Sequence, residues 1–194
     1  DFFGLDPAAD RAGIQVTDSW EMLSTEHASI PFTLPVTVEE LMGYDLMAML
    51  NAGASSLQPV RRRNLREYVM RGGTLFVGGG ALAFGHGGYR NTFLEEILPV
   101  EIHKSDLTEA VGNRRLIEPG NEHDIINGLD FSAQPRVAYY HDVQAKPEAE
   151  ILLRAGSVPI LSVLKSGRGK VYAMTGTPMG EVGEGTPWWA WDGW

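Results

Sequence analysis

Three consecutive glycines, Gly78-Gly79-Gly80, follow directly on the apolar stretch Thr74 to Val77 and are the segment of this sequence most suggestive of chemistry. A glycine turn at the end of a strand can present free backbone N–H groups as an anion-binding nest. Polar side chains stand in the neighbouring predicted loops. The pattern therefore predicts that a carboxylate or a sugar hydroxyl binds at six residues: Asn51, Ser55, Gly78, Gly79, Gly80 and His86. The alternative is structural, because glycines also permit positive φ angles and close packing of the following segment.

The sequence gives little support for a cofactor or a metal. The phosphate-binding patterns G-x-x-x-x-G-K-[ST] and G-x-G-x-x-G are both absent, so no nucleotide cofactor is predicted. Metal ligands usually show characteristic spacings, and no histidine here lies two or four residues from another ligand on one predicted element. Hydrogen-bonded loop residues are therefore favoured over metal ligands for the five histidines, His27, His86, His103, His123 and His141.

Two catalytic arrangements without cysteine are conceivable. A Ser55 or Ser56 nucleophile beside His86 would suit a hydrolase, but it lacks the G-x-S-x-G context of known serine hydrolases. A base such as His86, acting with Glu181, would suit a hydrolase or transferase for a small amide, ester or sugar. This enzyme is the alternative to a module that only binds.

Four tryptophans crowd the end of the sequence: Trp188, Trp189, Trp191 and Trp194. Indole rings carry large apolar areas, so something should cover them. Three explanations are open: core packing, an interface with a protein partner or a second copy of the chain, and stacking against a sugar.

Composition narrows the classes of function. The sequence has 194 residues, with 25 acidic residues against 16 Lys and Arg, which gives a net charge of −9. A nucleic-acid partner is excluded because it would need clustered cations, and the run Arg61-Arg62-Arg63 suits the solvated face of a helix. No stretch approaches the roughly 18 to 20 apolar residues of a membrane helix. The compartment stays open, with the cytoplasm favoured.

The elements that would position these residues alternate between strand and helix. The longest predicted helix runs from Pro59 to Arg71, between an apolar strand at Tyr44 to Leu50, expected to be buried on both faces, and a second strand at Thr74 to Val77. A right-handed crossover of this length predicts that the two strands are parallel. The other predicted elements are helices at Pro7 to Ala12 and Phe93 to Leu98 and strands at Gly13 to Val16, Ile151 to Leu153, Ile160 to Leu164 and Val171 to Met174.

A further set of motifs occurs in a fixed order along the chain: Tyr44-Asp45-Leu46, Leu65 to Val69, Gly72 to Leu75, Gly78 to Gly80, Phe84 to Tyr89, Leu94 to Val100, His123 to Leu129, Gly167 to Val171 and Trp188 to Trp194. This ordered series resembles the glutamine amidotransferase-like domain found in many bacterial proteins, of the class I glutamine amidotransferase-like superfamily. Asp124 replaces the proline in that family's His-Pro-Ile-x-x-Gly-Leu stretch. The resemblance covers about residues 12 to 194.

The resemblance implies an α/β fold, a flavodoxin-like three-layer sandwich with a mostly parallel central sheet and antiparallel strands near the C-terminus. One domain is expected over residues 1–194, with sequence missing at both ends, because the family would place another strand before Gly13. The family's nucleophilic cysteine would lie at Gly78 to Gly80, but the sequence contains no cysteine, and Thr175 to Glu184 lacks the histidine of the family's His-x-Glu. The resemblance therefore implies a catalytically silent module that binds a small polar ligand or a protein partner.

Overall fold

A computed structural model describes residues 5–17 and 35–194. The helices are α1 (Leu5–Ala12), α2 (Val38–Leu41), α3 (Pro59–Arg71) and α4 (Phe93–Ile97), with 3-10 turns at Ala54–Ser56, Gly112–Arg114, Phe131–Ala133 and Trp188–Ala190. The strands are β1 (Leu46–Leu50), β2 (Thr74–Gly78), β3 (Val100–Glu109), β4 (Glu118–Pro119), β5 (Pro135–Arg136), β6 (Tyr139–Ala145), β7 (Glu150–Ala155), β8 (Val158–Ser166), β9 (Gly169–Met174), β10 (Gly176–Thr177) and β11 (Thr186–Pro187).

Local sequence signals explain the two helices that frame the first strands. In α3, Pro59 occupies the first turn, and Gly72 ends the helix with a φ of 123°, a conformation that glycine adopts without strain. Leu65, Tyr68 and Val69 form its buried face. Helix α2 begins with a capping box in which Thr37 Oγ1 accepts a hydrogen bond from Glu40 N, while Glu40 Oε2 accepts one from Thr37 N.

The largest sheet has six strands in the order β1-β2-β9-β8-β7-β4. The predicted βαβ unit is confirmed, because β1 and β2 pair in parallel with Leu46 opposite Thr74, and α3 joins them. Strand β2 also pairs in parallel with β9, but β9-β8, β8-β7 and β7-β4 are antiparallel. The fold is mixed α/β and mostly sheet. The prediction of a mostly parallel sheet is wrong, because short turns join β7 to β8 and β8 to β9, and such turns connect antiparallel strands only.

Two apolar cores lie on opposite faces of this sheet, because alternate strand residues point to opposite sides. Leu75, Val77, Val171 and Ala173 face the core beneath α3 and α4. Phe76 and Tyr172, together with Met174, face a second core that holds Trp188 and residues of β7 and β8. A three-stranded antiparallel sheet, β10-β6-β3, and the short parallel pair β11-β5 complete the described strands.

Two predicted strands differ from the structure. Gly13 to Val16 forms a turn followed by irregular chain, and the exposed fractions of Ile14 and Val16 are 60% and 50%, so the predicted strand there is wrong. A strand needs a hydrogen-bonding neighbour, which local periodicity cannot supply. The Tyr44 to Leu50 strand begins at Leu46 and stands at the edge of the described sheet, with Leu46 51% exposed, so its predicted burial on both faces is also wrong.

Candidate functional site

The glycine turn, Gly78 to Gly80, lies at the carboxyl end of β2, between the ends of β1 and β9. Gly78 O accepts a hydrogen bond from Asn51 N at 3.2 Å, and Gly79 N donates to Met174 O at 2.7 Å. The turn is thus joined to both parallel neighbours of its strand. In open α/β sheets, ligands bind outside the carboxyl ends of the strands.

Close packing explains the glycines at positions 79 and 80. A Cβ at Gly79 would lie 2.6 Å from Gly176 O, and a Cβ at Gly80 would lie 2.6 Å from Asn51 Cβ. The interpretation that the turn needs positive φ angles is wrong, because none of the three glycines has one. The expectation of free N–H groups is wrong for Gly79, whose N–H is bonded to Met174. Among the described residues, none accepts a hydrogen bond from the N–H groups of Gly80 and Ala81.

Asn51 holds the loop that follows the turn. Its Oδ1 accepts a hydrogen bond from Leu82 N at 2.7 Å. The Asn51 backbone has a φ of 48°, a left-handed conformation that asparagine tolerates better than most residues. The sequence prediction thus placed Asn51 beside Gly80 correctly in space, although its side-chain oxygen is already engaged with the protein.

Ser55 and His86 belong to two loops that are joined by hydrogen bonds. Ala54 N donates to Gly87 O at 2.7 Å, and Tyr89 Oη donates to Ala52 O. Ser55 and His86 are both exposed. In the described part of the chain, no hydrogen bond joins Ser55 or Ser56 to His86, so the structure does not assemble a serine–histidine pair.

His141 lies beside the glycine turn, and the sequence reasoning did not place it there. This residue is 1% exposed, its Nε2 lies 3.0 Å from Gly80 O, and its ring centroid is 4.8 Å from that of Phe84. Burial lowers the pKa of His141 from 6.5 to about 4, against the opposing effect of the Gly80 hydrogen bond, and the charge of the nearby His86 lowers it further. The ring is therefore neutral near pH 7. No local signal marks this position, because its partner is 61 residues away.

The remaining histidines form no metal site among the described residues, where no group of three or more potential ligands occurs. His103 Nδ1 lies 3.9 Å from Asp142 Oδ1, while Lys104 Nζ pairs with Asp142 Oδ2 at 2.6 Å. The ring of His123 packs edge-on against Tyr172 at 6.4 Å. His27 lies outside the described residues.

The four C-terminal tryptophans differ in burial. Trp188 is 1% exposed and donates from Nε1 to Thr177 O at 3.2 Å; Trp191 is 7% exposed and donates to Asp130 O at 2.8 Å. Trp189 and Trp194 are half-buried and pack edge-on against Trp188, at 5.9 and 4.5 Å. The tail thus lies largely against its own domain, on the face of the main sheet opposite α3.

A half-open cavity of about 320 Å³ lies beside this tail. Its polar groups are those of Asp130, Asp192 and Thr186. The full lining comprises Gly128, Leu129, Asp130, Ala133, Thr186, Ala190, Trp191, Asp192 and Gly193. The cavity is separate from the glycine turn, with which it shares no lining residue.

Comparison with protein families gives a match over residues 18–193 to the model described as "Putative glutamine amidotransferase". This match spans both the glycine turn and the tryptophan tail. The chain belongs to this glutamine amidotransferase-like family. The resemblance inferred from the motifs is therefore confirmed. No curated protein matches the sequence.

Solved structures share the fold of this glutamine amidotransferase-like chain. The cytoplasmic protein STM1381 of Salmonella typhimurium LT2 is 25% identical, with a TM-score of 0.67, over 78% of this chain and 68% of the other. The cytoplasmic protein STM3548 of Salmonella typhimurium is 24% identical, with a TM-score of 0.70, over 82% and 71%. A cold-adapted β-galactosidase of Rahnella sp. R3 is 16% identical, with a TM-score of 0.50, over 70% of this chain and 20% of the enzyme.

This glutamine amidotransferase-like chain lacks the thiol on which active class I relatives depend. The sequence contains no cysteine, and a side chain at Gly79 or Gly80 would overlap neighbouring atoms. Glu181 and Glu184 are exposed in the loop after β10, where the resemblance would place a His-x-Glu pair. Arg115 Nη1 donates to Val182 O at 3.4 Å in this same loop. None of the described helices is long and apolar enough to cross a membrane.

Proposed function

We propose that this chain is a catalytically silent glutamine amidotransferase-like module that binds a small polar ligand at the glycine turn. The observation that carries the proposal is the absence of space for a side chain at Gly79 and Gly80, where a Cβ would lie 2.6 Å from Gly176 O and from Asn51 Cβ, respectively. Covalent catalysis on glutamine needs a nucleophile at this turn. Packing against Gly176 and Asn51 leaves no room for one.

The backbone N–H groups at the glycine turn favour a carboxylate as the ligand. The N–H groups of Gly80 and Ala81 are donors without an acceptor among the described residues, and His86 exposes an imidazole nearby. Hydrogen bonds to an ionised acceptor are roughly twice as strong as neutral ones. A sugar hydroxyl is the second ligand class that such donors would accept.

Backbone conformation also supports a binding role. Asn51 and Phe84, on either side of the turn in the chain, have φ angles of 48° and 46°. Phe84 is fully buried, and a left-handed conformation in a bulky residue costs about 1–3 kcal/mol. Such costs concentrate at ligand sites, where the surrounding structure maintains them.

Two assays test the absence of catalysis. Purified protein should release no ammonia from glutamine above a heat-killed control, and a glutamine-directed affinity label should attach to no residue. The Gly79→Cys variant, which introduces the missing thiol, should remain inactive because its side chain has no space. Ammonia release by the wild-type chain would refute the proposal, and hydrolysis of p-nitrophenyl acetate that His86→Ala or Glu181→Ala abolishes would favour the enzyme alternative.

Ligand binding is tested by titrating ¹⁵N-labelled protein with sodium acetate, with acetamide as the neutral control of matched shape. The amide signals of Gly80 and Ala81 should shift with acetate and much less with acetamide. Equal shifts with both probes would contradict carboxylate selectivity. Shifts confined to residues far from the turn would contradict the site itself.

A protein partner is the second candidate. Trp189 keeps partial exposure beside the buried Trp188, so part of its indole surface could contact a partner or a second copy of the chain. Light scattering of wild-type and Trp189→Ala protein tests self-association through the tail.

We further propose that the chain forms a single domain with a flavodoxin-like arrangement of layers, which the β1-α3-β2 unit supports. We also propose a cytoplasmic location, as for the two Salmonella proteins.

A further inference from the structure

His141 connects the glycine turn to the three-stranded sheet β10-β6-β3. It lies on β6, where its backbone N–H donates to Thr175 O at 3.0 Å, just beyond β9. Its ring reaches Gly80 O at 3.0 Å. The same residue thus contacts the ends of two strands of the main sheet, one through its backbone and one through its side chain.

The contact between His141 Nε2 and Gly80 O determines which ring nitrogen carries a hydrogen. A backbone carbonyl oxygen only accepts hydrogen bonds, so Nε2 must carry the hydrogen. Burial keeps the imidazole neutral, so Nδ1 is its unprotonated nitrogen. Nδ1 is itself buried and has no hydrogen-bond partner among the described residues. The ring packs against Phe84, which is fully buried and holds a φ of 46°. This packing confines the imidazole to the position from which it reaches Gly80.

The contact between His141 and Gly80 O also determines the direction in which the Ala81 N–H points. Gly80 C=O and Ala81 N–H belong to one planar trans peptide unit, in which the oxygen and the hydrogen point to opposite sides. Gly80 O accepts from His141 Nε2 and also from Ala83 N at 3.1 Å. Holding the oxygen toward His141 therefore directs the Ala81 N–H away from it, and no described residue accepts a hydrogen bond from this N–H.

We propose that His141 is the positioning residue of the site, which orients the Ala81 N–H toward a bound carboxylate by fixing Gly80 O. The inference rests on the proposed ligand site at the glycine turn. His141 itself is buried and contacts no ligand. Its role is to hold one peptide plane in the orientation that binding requires.

Two substitutions separate the hydrogen bond from the packing. His141→Gln keeps an N–H donor at about the distance of Nε2, whereas His141→Leu keeps apolar volume without a donor. In the acetate titration, we expect wild-type and His141→Gln protein to bind alike. The His141→Leu variant should bind about fivefold to tenfold more weakly, the change expected for one ordinary hydrogen bond. Substitution of the exposed His103 by Gln is the control and should leave acetate binding unchanged.

Equal acetate binding by all variants would overturn the role of His141 while leaving the ligand site intact. If wild-type protein does not bind acetate, the proposed ligand fails, and hydrogen exchange of the Ala83 amide then tests the positioning role alone. Faster exchange in His141→Leu than in His141→Gln supports it, and identical exchange refutes it. Should the Leu variant not fold, the ¹⁵N spectrum of the wild-type imidazole still decides, since a ring protonated at Nδ1 instead of Nε2 would overturn the proposal.

Discussion

A Cβ atom at Gly79 would lie 2.6 Å from the carbonyl oxygen of Gly176 and 3.0 Å from that of Met174. These oxygens belong to the backbone at the end of β9 and the start of β10, which cannot move aside as a flexible side chain can. The turn after β2 can therefore pack this closely against the neighbouring strands only because Gly79 has no side chain. A side chain of any kind at Gly79, a nucleophile included, would overlap these backbone atoms.

Gly79→Ala should destabilise the protein by about 1–3 kcal/mol, the usual cost of overpacking a filled site. The matched control is Gly53→Ala in the adjoining loop, where a Cβ would make ordinary contacts at 3.5 Å or more and φ is −76°. Urea denaturation of both variants measures the difference. Equal stabilities would mean that the turn can shift, and that the space argument against a nucleophile does not hold.

Trp188→Ala should lower the stability of the folded protein far more than Trp189→Ala. Trp188 is 1% exposed and donates to Thr177 O, whereas Trp189 is only half-buried. Truncation of a buried tryptophan costs about 3–5 kcal/mol, a large fraction of the usual stability of a domain. Thermal unfolding followed by circular dichroism gives both values. A smaller loss for Trp188 than for Trp189 would contradict the assignment of Trp188 to the core.

Tyr68→Phe should lower the free energy of unfolding by about 1 kcal/mol, because it removes partly buried hydrogen bonds. The Tyr68 hydroxyl lies 3.1 Å from Tyr44 O and 3.2 Å from Thr74 O and N, so it links the start of β2 to the segment before β1. Tyr172→Phe is the control, since its hydroxyl forms no hydrogen bond with a described residue. Denaturant midpoints that move equally in both variants would argue against this linking role.

Local signals predicted some of the regular elements but not the strands β3 and β6, which fall largely in the weakly periodic stretch from Glu101 to Asp142. Pro59 and Gly72 bracket α3 and fixed its bounds in the sequence, since each acts through its own backbone preference. The strands β7, β8 and β9 were also predicted, because apolar runs separated by glycine turns are readable without tertiary information. The irregular chain at Gly13 to Val16 was not predicted, since its apolar residues have the composition of a strand, although no described strand pairs with them.

The spatial arrangement around the glycine turn was predicted in part, whereas binding at this turn stays a prediction. The sequence places Gly80 and Asn51 at the ends of adjacent parallel strands, so their proximity follows from the βαβ unit. His141 could not be found in this way, because it belongs to a different sheet, and its contact with Gly80 depends on how two sheets pack. Nor could the sequence show that Gly79 N is bonded to Met174 O, which requires β9 to lie beside β2.

The stability of the chain should depend on pH through His141. Burial lowers the pKa of this imidazole from 6.5 to about 4 in the folded protein. Between these values the unfolded chain binds more protons than the folded one, so the free energy of unfolding decreases as pH falls. The contribution of His141 is complete above pH 6.5 and is lost on acidification toward pH 4, a loss of about 3 kcal/mol.

His141→Gln removes this titrating group while keeping a donor for Gly80 O, so its stability should decline less steeply between pH 6.5 and pH 4 than that of the wild type. Urea denaturation at intervals across this range gives both curves. Parallel curves for wild type and His141→Gln would show that the imidazole is solvated or charged in the folded state, and that its buried contact with Gly80 is not maintained in solution.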